Sequence, residues 1–86
     1  MAKYQINLTK HAAKQLDKLP INISELLYKS ISKLSDHPRP NGCKKLKGRD
    51  GYRIRIGDYR IIYTIEDNIL TIVIIDIGHR KDIYRN

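Results

Sequence analysis

Arg53, Arg55 and Arg60 fall on a short stretch of alternating polar and apolar residues, and His79, Arg80 and Tyr84 follow near the C-terminus. A guanidinium is a planar fork that donates two parallel hydrogen bonds to phosphate oxygens and stays charged at any accessible pH, so a cluster of three suits a phosphate. His79 is the only histidine near them, and imidazole is the side chain best able to exchange a proton near neutral pH. Its simpler role is that of a surface residue at a strand end. Tyr84 can stack on a base or bond a phosphate, or it can pack over a sheet end. His11 and His37 read as structural or solvated. Glu25 and Glu66 are the only glutamates, and neither they nor the scattered aspartates gather into a hard-cation site. The lone Cys43 can begin neither an internal disulfide nor a zinc site of ordinary spacing. No metal and no other cofactor is expected.

The elements that must position these residues show themselves by a change of hydrophobic period. Tyr4, Ile6 and Leu8 alternate with Lys3, Gln5 and Asn7, the two-residue period of a strand. Thr9 then offers a helix N-cap, and Ala12, Ala13, Leu16 and Leu19 follow at helical spacing, with Lys10, Lys14 and Lys18 stacked on the outer side. Pro20 ends or interrupts that helix. Ile23, Leu26, Leu27, Ile31 and Leu34 mark a second helix, closed by the breakers from His37 to Gly42. From Tyr52 the pattern turns β-branched: YRIRI, YRIIYTIE and ILTIVIIDI are separated by Gly57-Asp58 and Asp67-Asn68, which predicts three hairpin-linked antiparallel strands. The expected fold is α+β, one domain over residues 1–86, with two antiparallel N-terminal helices on one face of a twisted, mainly antiparallel sheet.

If both turns are two-residue loops, Arg55 faces Arg60 and Glu66 faces Ile69, and parity assigns the faces. One face collects Tyr52, Ile54, Ile56, Tyr59, Ile61, Tyr63, Ile65, Leu70, Ile72 and Ile74, wide enough for both helices. The other collects Arg53, Arg55 and Arg60, then Ile62, Thr64, Thr71, Val73, Ile75 and Ile77: a basic patch beside an apolar floor. Like charges opposed across a strand pair destabilise a sheet, so an anion is expected to compensate them. Splaying of the arginines into solvent is the plainer alternative. Parity carries His79 onto the arginine face, whereas a bulge or kink at Gly78 would substitute Arg80; spacing leaves the two open.

The chain has 86 residues, a formal charge of +8 and 41% hydrophobic residues, enough for one compact domain with a strong pull on phosphate polymers or acidic proteins. No apolar run approaches the roughly 20 residues that span a bilayer, and the start lacks the apolar stretch of a secretory signal, so a cytoplasmic protein is expected. Lys44, Lys45, Lys47 and Arg49 make a basic loop that suits RNA contact and equally suits a solvated charge run.

Together, the runs YRIRIGDYRIIY and IGHRKDIYR, the KKLKG stretch before them and the AAKQLDKL helix resemble the RelE/ParE superfamily of toxins from toxin-antitoxin modules, over essentially the whole chain. The resemblance implies a RelE-like fold, an acidic RelB-like antitoxin partner in a hetero-oligomer, and ribosome-dependent, metal-independent cleavage of messenger RNA through attack of a 2′-hydroxyl on its own phosphate. By the same resemblance the site residues are Arg53, Arg55, Arg60, Arg80 and Tyr84. The best-known RelE enzymes carry lysines where Arg53 and Arg55 stand, and arginine is a poor base, so His79 is the expected replacement in proton transfer. A gyrase-inhibiting toxin of the ParE branch, a non-catalytic RNA-binding module and an inactive antitoxin partner are the alternatives.

Overall fold

The computed structural model describes residues 3–79, so Arg80 and Tyr84 lie outside the described residues. The chain runs β1 (Gln5–Leu8), α1 (Lys10–Asp17), α2 (Ile21–Lys33), β2 (Lys44–Lys45), β3 (Tyr52–Ile56), β4 (Tyr59–Glu66) and β5 (Thr71–His79), with a 3-10 turn at Asp67–Ile69. One sheet has the order β1-β5-β4-β3-β2, in which only the β1–β5 pair is parallel. Thr9 caps α1 as its sequence position implied: its hydroxyl accepts from the Ala12 N–H at 3.1 Å, satisfying one of the four amides that a helix start leaves unpaired. Pro20 precedes α2, where its missing N–H costs nothing. Ala12 and Leu16 of α1 and Leu27, Ile31 and Leu34 from α2 and its cap meet Ile54, Ile61, Tyr63, Ile72, Ile74 and Ile77 in one core. The Tyr63 hydroxyl is the polar group at its margin. It donates to the Pro38 carbonyl at 2.7 Å, and burial, then the neighbouring Cys43, pushes the phenol's pKa up.

Two expectations about β5 are overturned. The second turn is longer than two residues: Asp67, Asn68 and Ile69 form the 3-10 turn, Leu70 closes it with φ +48°, and Glu66 lies opposite Thr71 rather than Ile69. Leu70, assigned to the core by parity, is 38% exposed. The second departure is a β-bulge. Tyr63 pairs with Ile74 but Ile62 pairs with Asp76, which leaves Ile75 as the extra residue and reverses the parity of everything after it. Ile77 therefore enters the core at 3% exposure instead of joining the apolar floor.

The reason lies in Asp76. Regular alternation would bury its carboxylate and expose Ile77. Burying the isoleucine is worth about 1.5–3 kcal/mol, while an unpaired buried carboxylate costs several. With the bulge, Asp76 accepts from Gln15 Nε2 at 2.8 Å, and His11 Nε2 lies 3.2 Å from the same oxygen.

Candidate functional site

The β3–β4 hairpin places the arginines. Gly57 takes φ +59°, which a side chain would strain, and Gly57-Asp58 make a two-residue turn. The turn sets Arg55 opposite Arg60 and Arg53 opposite Ile62, so all three arginines share the face away from the helices, as parity predicted. Their environments differ. Arg55 is exposed, Arg53 half-buried and Arg60 only 5% exposed, so the basic patch is graded from solvent into the sheet. A charge held out of water acts on a nearby anion through a lower effective dielectric, so Arg60 carries more weight per charge than an exposed arginine.

Lys44 joins them. β2 sets it directly opposite Arg53, and a groove of about 200 Å³ is lined by Lys44, Arg53 and Arg55 together with Asn41, Gly42 and Ile54. Three cations around so small a concavity suit one phosphate group. Lys45 lies opposite Tyr52 and so points to the helix side, while Lys47 and Arg49 stand exposed on the loop between β2 and β3. That loop closes through a 2.9 Å bond from Leu46 N–H to the Gly51 carbonyl. Gly51 is required there: its φ is +131°, and a Cβ would come within 3.2 Å of the Tyr63 carbonyl oxygen and of Leu46 Cδ1.

His79 is not on the arginine face. The bulge puts it opposite Tyr59, on the helix side, where the two rings meet edge to face at 5.1 Å and 84°. Gly78 takes the place opposite Arg60. The correction follows directly from the reversed parity, and it arises three residues before the glycine at which a kink was expected.

One network had no precedent in the sequence reading. Arg39 makes a forked pair with Asp67 at 2.9 and 3.4 Å, Tyr4 donates to the same carboxylate at 2.6 Å, and the Arg39 guanidinium lies 5.2 Å from the Tyr52 ring centre. Arg39, and then Tyr4, hold the Asp67 carboxyl below its usual range. Residues 63 positions apart meet here, so no local pattern could have announced it. It ties the loop after α2 to the β4–β5 turn. Among the described residues no group of three or more His, Cys, Asp or Glu side chains is placed to hold a metal ion. No helix among them is long and apolar enough to cross a membrane.

Comparison with known proteins places this geometry. Residues 6–84 match the family model described as ParE toxin of type II toxin-antitoxin system, parDE. Toxin RelG of Mycobacterium tuberculosis is 34% identical over 84 residues, covering 95% of this chain and 97% of its own. The toxin-antitoxin complex RelBE2 of the same organism contains a chain that superposes with TM-score 0.84 at 31% identity, over 93% of this chain and 94% of that one. The archaeal RelE-RelB complex of Pyrococcus horikoshii gives 0.82 at 29% identity, over 98% and 99%.

Proposed function

Because this chain belongs to the ParE toxin family of type II toxin-antitoxin systems, within the RelE/ParE superfamily and on its RelE-type branch, we propose that it is a ribosome-dependent endoribonuclease that cuts messenger RNA. The observation that carries the reading is the groove shared by Lys44, Arg53 and Arg55, with buried Arg60 opposite Arg55. In the proposed reaction the 2′-hydroxyl gives up its proton to water as its oxygen bonds the adjacent phosphorus, a 2′,3′-cyclic phosphate closes, the bond from phosphorus to the 5′-oxygen breaks, and that oxygen leaves as a hydroxyl once it takes a proton. The phosphorane that forms gains negative charge, and Arg53, Arg55 and Arg60 stabilise it through fixed guanidiniums. These residues act by charge and position, and the chemistry requires no metal.

Proton transfer belongs to groups on the arginine face. Lys44 is the titratable cation there among the described residues, and as an ammonium it can donate to the leaving oxygen. Arg80 and Tyr84 are proposed to serve the leaving oxygen and to orient the nucleotide. His79, turned to the other face, is not assigned the proton transfer.

The partner proposed is an acidic antitoxin. Half-buried Ile62, Val73 and Ile75 lie beside the cations of a +8 chain. An acidic amphipathic segment would cover apolar area and neutralise charge together. Such a target and partner put the protein in the cytoplasm. The test is to add purified protein to a translating extract and map message ends. Codon-phased cuts that vanish in an Arg53→Ala, Arg55→Ala, Arg60→Ala triple variant are expected. Intact messages with trapped gyrase-DNA complexes would overturn the reading in favour of a gyrase poison.

A further inference from the structure

Past Ile74, no strand among the described residues lies on the outer side of β5, because β1 pairs only with Thr71 to Ile74. Gln15 of α1 clasps the edge instead: it accepts the Ile77 N–H at 2.6 Å and donates to Asp76 at 2.8 Å. Beside this clasp a groove of about 630 Å³ wraps around the edge. Tyr59 and His79 line it from the helix side, Ile62 and Gly78 from the arginine side, and Lys18 and Arg49 bring two cations to it.

Three features decide what it could hold. Arg60 lies directly opposite Gly78, so the arginine row runs toward the groove across a residue with no side chain, one strand spacing or about 4.8 Å away. Tyr59 and His79 offer aromatic surface on which any base can stack. Among the described residues Asp76 is the one carboxylate lining the groove, and Gln15 and His11 both engage it. A peptide adding itself as a further strand would need the Ile77 N–H, which Gln15 already occupies.

We propose that this groove is a nucleotide subsite: RNA whose cleaved phosphate lies on the arginine face turns over the β5 edge at Gly78. The flanking base then rests against Tyr59 and His79, and its phosphate lies between Lys18 and Arg49. The inference rests on the RNA-cleaving reading, and it makes His79 a residue that binds substrate rather than one that moves the proton.

The test uses ribosomes programmed with a message that carries either a base or an abasic nucleotide beside the cut. Wild-type protein should lose at least about fivefold in kcat/KM on the abasic message. Tyr59→Leu, His79→Ala and the exposed Lys18→Glu should each lose a comparable factor on the intact message, mainly in KM. The first two should lose nothing more on the abasic one. Ring variants that cut both messages as the wild type does would overturn the subsite while leaving the cleavage reading intact. If wild-type protein cuts no message, the cleavage reading fails first. The subsite is then decided by NMR titration with a 2′-O-methyl trinucleotide. Shifts concentrated on the Tyr59 and His79 rings support it. Unmoved rings, or rings shifted only by an acidic antitoxin peptide, overturn it.

Discussion

Replacing Ile77 with alanine tests the bulge that decides which residues share the arginine face. Ile77 is 3% exposed and lies opposite Ile61, which is fully buried, so the change removes three carbons from a packed layer. Buried Ile→Ala substitutions cost about 2–5 kcal/mol, lost transfer energy and residual cavity together, and a site between sheet and helix that can only partly collapse should sit near 3. For a domain of this size that corresponds to a fall in Tm of roughly 12–24 °C. Ile75→Ala is the internal control: half-buried and unpaired in the bulge, it should cost no more than about 1 kcal/mol. Urea unfolding of both variants, with m unchanged, gives the two numbers directly. If Ile75 proved the costly one and Ile77 nearly neutral, β5 would run without the bulge. His79 would then return to the arginine face, and the proposal that it binds a base would fall with the register.

Arg55→Ala should cut messenger cleavage by at least about 100-fold, the usual effect of losing one donor to a transition-state anion, with circular dichroism little changed because the side chain is exposed; a variant that cleaves normally would remove Arg55 from the site. His79→Gln should alter the single-turnover chemical step by less than about tenfold, since the imidazole lies across the sheet from the arginines; a loss above about 100-fold, with the pH profile flattened, would reinstate it in proton transfer. Asp67 is held below its ordinary value first by Arg39 and then by Tyr4, so its contribution to stability is complete above the unfolded value near 3.9 and disappears as pH falls through the folded one. Asp67→Asn should therefore lower the urea midpoint at pH 6 and converge with wild type toward pH 2, and parallel curves across that range would show that the network contributes nothing.

The sequence by itself determined the class of fold and most of the faces. Period switches placed two helices before three antiparallel strands, Thr9 marked the start of α1, and Gly57-Asp58 fixed the Arg55–Arg60 register, because a two-residue turn leaves no freedom in pairing. The RelE-type resemblance of YRIRIGDYRIIY and IGHRKDIYR is carried by contiguous residues and agrees with the relatives found. What the sequence left to the tertiary structure was everything beyond local spacing. The pairing of Lys44 with Arg53 depends on where a long loop returns to the sheet, and the meeting of Arg39, Asp67 and Tyr4 depends on three distant segments. Asp76 was the visible warning that β5 could not alternate to its end, but its partners Gln15 and His11 lie more than sixty positions away. Whether a carboxylate is buried or released depends on which donors the fold brings to it, and that choice, settled between β5 and α1, is what carried Ile77 inward and His79 to the other face.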